Sequence, residues 1–251
     1  MSKSKRQTHS LIDTNKLDWL IIDDNLSYKH LNGDMENDEH TIILKSKSRK
    51  PNPKVAHFHP VNEEFYCLDG YFTFDGENWF KKNSYAYYPA YYVHGAEVYI
   101  KEGYLLYLRT NGKAIFEMVD KPLSNIPYIA KNFSSKSKII QIYNINKYIE
   151  DNVKQHSDSI KRIPLGFDEL SKTGSTLIEC SKQTKGKYFT LKSENIIEIM
   201  FLNGIFKNNN MTLIYKNMYL CKTGKSLEIT LRCEKYGKIL VSHGSYLNIK
   251  T

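Results

Sequence analysis

The stretch that decides the fold reads His57-Phe58-His59-Pro60-Val61-Asn62-Glu63-Glu64. His57 and His59 are two apart, and on a strand residues i and i+2 share a face. Two imidazoles side by side on an inward face make two legs of a metal site. A carboxylate follows where the next strand begins. His94 comes after Pro89-Ala-Tyr-Tyr-Val, in a run that can return beside the first pair. Imidazole with carboxylate suits Fe(II), Mn(II), Ni(II) or Zn(II). A single histidine is most often an ordinary surface or core residue. The metal reading rests on the pair, the carboxylate and the later Pro…His arriving together.

Working outward, the chain around these residues has strand character. Short runs rich in Ile, Tyr, Phe and Val recur at Thr41–Leu44, Glu64–Leu68, Tyr71–Phe74, Tyr85–Tyr88, Val98–Ile100 and Tyr104–Arg109. Turn signals fall between them at Asp69-Gly70, Asp75-Gly76, Lys82-Asn83 and Glu102-Gly103. This spacing predicts an all-β sandwich or barrel. Helical periodicity is confined to residues 145–156.

The chain also repeats itself at an offset of 134 residues: Glu64-Phe-Tyr-Cys-Leu-Asp-Gly70 falls on Glu198-Ile-Met-Phe-Leu-Asn-Gly204. Without a gap, Lys82-Asn83-Ser-Tyr85 falls on Lys216-Asn217-Met-Tyr219, and Gly103 on Gly237. The coincidences sit at turn residues and apolar strand positions, where a shared backbone constrains sequence. At the same offset His57, His59, Glu63 and His94 become Leu191, Ser193, Ile197 and Glu228. The second copy is therefore expected to keep the fold and lack the metal. The expected boundaries are a flexible basic tail over 1–15, a metal-binding domain over 16–120, a linker over 121–138 and a degenerate domain over 139–251.

His57-x-His59-x3-Glu63-x6-Gly70, followed by Asn83-x5-Pro89-x-Tyr91-x2-His94, resembles the two motifs of the cupin superfamily. The resemblance implies two tandem jelly-roll β-barrels, the second degenerate. It also implies one divalent metal per chain on His57, His59, Glu63 and His94. The spacing to Gly70 selects Glu63 over Glu64, and strand alternation sends Glu64 to the other face. The glycines of the second motif are replaced by Asn83 and Tyr91, and the first motif opens on Pro51. Within the superfamily, the stretch through Gly103-Tyr-Leu-Leu-Tyr-Leu-Arg-Thr looks most like the ChrR and acetylacetone-dioxygenase-like branch. That branch implies an Fe(II) dioxygenase acting on a small diketone- or enol-like substrate, or a non-catalytic zinc- or small-molecule-binding sensor. Zn, Mn or Ni stand as alternatives to iron. Arg109, Tyr107 and Tyr92 are the candidate substrate-binding residues.

Composition bounds the rest. The 251 residues are 41% hydrophobic and 25% charged, with a net charge of +9. Mean hydropathy is −0.52. The positive excess is scattered lysine, with one compact run at Lys45–Lys50, so nucleic-acid binding is disfavoured. No apolar run approaches the roughly 20 residues of a membrane span. The opening MSKSKRQTHS has no apolar segment behind it, so no secretory signal is expected. Cys67, Cys180, Cys221 and Cys233 lack the tight spacing of a zinc knuckle or disulfide scaffold, which fits a reducing cytoplasm. A small-molecule substrate is the expected partner, with homodimerisation left open. Thr223-Gly-Lys-Ser226 lacks the upstream glycine of a phosphate loop.

Overall fold

The structure is a computed structural model that describes residues 6–36, 38–52, 56–95, 98–123, 126–130, 132–134, 137–152, 159–169 and 171–251. The chain divides into two compact units. Asp18–Tyr148 with Arg6 forms the first, and Gln7–Leu17 with Ile149–Thr251 the second. Both are built from antiparallel strands. No described helix is long and apolar enough to cross a membrane.

In the first unit the main sheet runs, in spatial order, Ile140–Ile142, Tyr85–Tyr88, Glu63–Thr73, Val98–Thr110, His40–Ser46, Leu26–Gly33 and Leu20–Ile21. Strand alternation sorts its residues. Ile42, Phe65, Cys67, Ala86, Tyr88, Leu106 and Leu108 meet in the apolar core, packed by rings such as Phe65 on Phe80 at 5.1 Å. Between them, Glu64, Tyr66, Tyr85, Tyr87, Tyr107 and Arg109 take the opposite face. Glu63 lies opposite Thr110 and Tyr88, in register with the core-facing residues.

Two of the expected turns are not turns. Asp69-Gly70 lies inside the continuous strand Glu63–Thr73, and Glu102-Gly103 inside Val98–Thr110. There the glycines allow two backbones to touch. A Cβ on Gly70, whose φ is +110°, would stand 2.3 Å from the Gly103 carbonyl oxygen. Asp75-Gly76 does turn the chain: the Asp75 carboxylate accepts from the Glu77 and Asn78 amides. Asn83 takes φ 68° and so replaces a glycine there, and its repeat partner Asn217 takes 66°.

The second unit repeats the plan with Ile160–Asp168, Thr173–Cys180 and the long strands Tyr188–Asn208 and Met218–His243. Gly204 lies against Gly237 as Gly70 lies against Gly103 and Tyr104. The ungapped offset does not survive to the last strand. Cys67 faces Leu106, whereas its counterpart Phe201 faces Ile239 rather than Leu240. The copy is thus one residue shorter before its final segment, and Arg109 corresponds to Ser242, not His243.

The expected boundaries need correction. Residues 1–15 are not a tail from Arg6 onward. His9–Asp13 is a strand paired with Met218–His243, placing Ile12 opposite Tyr219 and Asp13 opposite Met218. The Thr14 hydroxyl donates to the Asn217 carbonyl at 2.7 Å, and Leu11 packs on the second core. An edge strand that offers its backbone groups to a partner accounts for this capture. The stretch 121–138 is not a plain linker either. Tyr128–Ile129 pairs with Tyr92–Val93, and Ile140–Ile142 with Tyr85–Tyr88, so the first unit runs to Tyr148. The helix spans Ile145–Asn152, and the rest of the expected 145–156 segment lies outside the described residues.

Candidate metal centre

His57 opens the short strand His57–Phe58, which pairs with Glu117–Met118. Its backbone also exchanges two hydrogen bonds with His94, at 3.0 and 2.9 Å. That bridge is what brings the later histidine back beside the first pair. The ring centroids stand 4.9 Å apart for His57 and His59, 4.5 Å for His57 and His94, and 5.4 Å for His59 and His94. One ligand nitrogen from each of the three lies within 4.8 Å of the others.

Two of the rings are oriented through their far nitrogen. His59 Nδ1 donates to the Ile115 carbonyl at 2.9 Å, and His94 Nδ1 to the Tyr92 carbonyl at 2.9 Å. This fixes the tautomer and leaves each Nε2 with a lone pair aimed at the centre. Both Nε2 atoms approach one oxygen of Glu63, at 3.4 and 3.3 Å. Bonds of about 2.1 Å to one ion set ligand atoms roughly 3.0–4.2 Å apart. The Glu63 contacts of His59 and His94 fall in that range, and the three imidazoles together form a group that could hold a divalent metal. Among the described residues no other group gathers three such side chains.

The electrostatics agree. His59 and His94 are nearly solvent-free at 3% exposure each. Burial pushes the Glu63 carboxyl up, but hydrogen bonds and charge from His59 and His94 overcome it and hold the group well below the usual carboxylate range. Burial likewise opposes charge on His59, yet the Glu63 hydrogen bond and charge raise that imidazole above its usual value.

The surroundings are aromatic. Tyr88 stacks on His94 at 4.4 Å and 15°, its hydroxyl accepting from Gln141. Phe116 sets its ring 4.9 Å from His57 and 4.6 Å from His59 while remaining 63% exposed. Neither Phe116 nor the Ile115 carbonyl was expected from sequence. The run Ala114-Ile-Phe-Glu-Met118 has no strand alternation to mark it, and backbone carbonyls leave no sequence signal.

Two expected substrate residues lie elsewhere. Arg109 is buried on the face opposite Glu63, ion-paired with Glu64, whose other oxygen accepts from the Tyr85 hydroxyl at 2.8 Å. Tyr107, two residues earlier, shares that face with Tyr66. The side-chain period of two decides this, because Leu106 and Leu108 take the interior. Tyr92 is half-buried and gives His94 its carbonyl. Tyr91 carries φ 68° where the motif has glycine, and its ring stacks on Phe133 at 3.8 Å.

In the second unit the corresponding positions are apolar or structural. Leu191 and Ile197 are fully buried in the core. The Ser193 hydroxyl donates to the Tyr246 carbonyl at 2.6 Å, and Leu191 lies opposite the buried Ile229, where His57 lies opposite His94. Glu198 accepts from the Tyr219 hydroxyl at 2.5 Å, repeating the Glu64–Tyr85 contact.

The chain has the cupin fold. Residues 7–114 match the family model described as the ChrR cupin-like domain. Among solved structures it is similar to a candidate dioxygenase from Nostoc punctiforme, with TM-score 0.70, 13% identity, and coverage of 98% of this chain and 87% of that one. The salicylate 1,2-dioxygenase from Pseudaminobacter salicylatoxidans gives TM-score 0.58 at 10% identity, covering 85% of this chain and 74% of that one. A cupin 2 conserved barrel domain protein from Leptotrichia buccalis gives 0.58 at 10%, covering 97% and 100%. A search of curated protein sequences finds no match.

Proposed function

We propose that the protein is a metal-dependent cupin oxidoreductase, an Fe(II) dioxygenase acting on a small diketone- or enol-like substrate. The observation that carries this is the convergence of the His59 and His94 Nε2 atoms on Glu63 beside His57, both rings oriented by backbone carbonyls. Four protein donors leave up to two positions of an octahedral ion open. Bound Fe(II) would supply Lewis acidity toward an oxygen-chelating substrate and a path for electrons to dioxygen. The chain's own residues do the rest. The Ile115 and Tyr92 carbonyls hold two rings in the ligating tautomer, Glu63 offsets part of the ion's charge, and Phe116 and Tyr88 wall the centre with rings. The chain's likeness to dioxygenase structures supports the reading. Four buried cysteines held as thiols accord with work in a reducing cytoplasm.

The match of residues 7–114 to the ChrR cupin-like domain favours a second reading, a zinc- or small-molecule-binding sensor, because the same donors accept Zn(II). Metal analysis of protein purified without added metal, followed by oxygen uptake with pentane-2,4-dione, separates the two. Iron near one equivalent with substrate-dependent oxygen consumption is expected. Stoichiometric zinc, with no uptake after iron loading, would support the sensor.

A further inference from the structure

Arg6 closes the basic opening MSKSKR. Its side chain is 4% exposed and lies in the first unit, while the chain from Gln7 to Leu17 belongs to the second. All three guanidinium nitrogens are engaged. Nε donates to the Thr41 hydroxyl at 3.1 Å, and Nη1 donates to the Glu39 carboxylate, with which it is ion-paired. Nη2 donates to the His40 carbonyl at 3.0 Å and to the Thr110 carbonyl at 2.6 Å. The Arg6 amide donates to the other Glu39 oxygen at 3.1 Å.

The acceptors come from the first unit's own ladder. His40 and Thr110 face each other on the last rung between His40–Ser46 and Val98–Thr110, and Glu39 and Thr41 flank His40 in sequence. His40, Thr41 and Thr110 are all buried. The slot thus presents a carboxylate, a hydroxyl and two carbonyls to one occupant. A planar fork of five N–H donors reaches acceptors spread in this way, whereas an ammonium carries its three donors on a single atom.

We propose that Glu39, Thr41 and the His40 and Thr110 carbonyls form a binding site for small guanidinium compounds, which Arg6 fills from the same chain as a displaceable plug. An emptied slot leaves a buried carboxylate and buried carbonyls without their partner, which favours refilling by a ligand of the same shape. A tethered occupant acts at an effective concentration in about the millimolar range, so a free guanidinium compound competes from there upward. Neither Arg6 nor Glu39 belongs to the metal donor set, so the inference stands or falls independently of the metal reading.

Methylguanidinium and methylammonium, compared at equal ionic strength on the full chain, test this. Arg6→Ala should melt about 5 °C or more below the unaltered protein, as loss of one partner from a buried ion pair demands. Methylguanidinium should recover most of that loss and saturate on the order of 10 mM, while methylammonium should not. Where Arg6→Ala is unfolded at room temperature, methylguanidinium should restore its strand circular dichroism. Adding Glu39→Gln to Arg6→Ala should abolish the recovery. In the unaltered protein, about 100 mM methylguanidinium should carry the Arg6 Nε–H resonance, identified by its loss in Arg6→Ala, to the position of free arginine. An Arg6→Ala variant as stable as the unaltered protein, equal effects of the two cations, recovery that survives Glu39→Gln, or an Arg6 resonance unmoved by methylguanidinium overturns the proposal.

Discussion

Glu63 and Glu64 are neighbours in sequence and face opposite sides of one strand: the first meets the His59 and His94 nitrogens, the second the Arg109 guanidinium and the Tyr85 hydroxyl. One carboxylate belongs to the interior site and the other to the outer face. The repeat supports the division. At Glu63 the second unit has Ile197, buried in its core, while the Glu64–Tyr85 contact survives as Glu198–Tyr219.

The first prediction separates the two by their readouts. Glu63→Ala should empty the metal site and change the melting temperature of the metal-free protein only modestly. Glu64→Ala should leave metal content near that of the unaltered protein but cost up to roughly 3–5 kcal/mol, because it removes the carboxylate paired with the buried Arg109. Metal analysis and thermal melts on the same samples decide it. An empty site in the Glu64 variant with a full one in the Glu63 variant would exchange the two faces.

The second concerns stoichiometry. One metal per chain is expected, with two or more tightly bound equivalents contradicting it. His59→Ala should abolish binding. His243→Ala should retain it, because His243 is buried in the second unit with Nε2 on the Thr176 hydroxyl and Nδ1 on the Gly244 carbonyl. Its loss should register in stability instead, at about 1–3 kcal/mol for a buried polar contact.

The interior site was legible because it depends on strand parity and spacing, both of which sequence carries. His57, His59, Glu63 and His94 come together, and Glu64 turns away as alternation requires. Arg109 and Tyr107 failed by the same parity. Leu106 and Leu108 fix the interior row, which sends Tyr107 and Arg109 to the outer face. The strand His9–Asp13 was missed because five residues with two polar ends carry almost no period. The one-residue slip in the second copy was hidden because Gly237 lies next to the backbone contact under either alignment.

A third prediction tests the glycine contact shared by both units. Gly70→Ala and Gly204→Ala should each destabilise the protein, since each new Cβ would lie within 2.6 Å of backbone atoms of the adjacent strand. The positive φ adds about 1–3 kcal/mol of strain. Denaturant midpoints measure this. Gly186→Ala is the comparison: the nearest atom there is an Arg232 side-chain nitrogen at 3.7 Å, so only the strain of its +79° φ applies and the loss should be smaller.

The last prediction concerns pH, and its sign depends on whether the site holds metal. In the metal-free protein the His59 pKa is raised above its usual 6.5 by Glu63 against the opposing effect of burial. Its contribution to stability is therefore complete below 6.5 and is lost as pH rises through the folded value. The Glu63 pKa is held well below its usual 4.5 by the two histidines, again against burial. Its contribution is present above 4.5 and is lost as pH falls through the folded value. The pair thus stabilises the metal-free protein most between about 4.5 and 6.5. His40 works the other way, its pKa lowered by burial, so stability tied to it falls as pH drops below 6.5. The two histidines are separated by comparison with His59→Gln. The melting-temperature advantage of the unaltered metal-free protein over that variant should be largest near pH 5.5 and shrink toward pH 8. Metal loading reverses the trend, because His59 must give up its proton to become a ligand. Affinity should fall steadily as pH drops from 8 to 5, and the advantage over His59→Gln in excess metal should grow with pH. An affinity that stays flat from neutral to pH 5 would remove His59 from the ligand set.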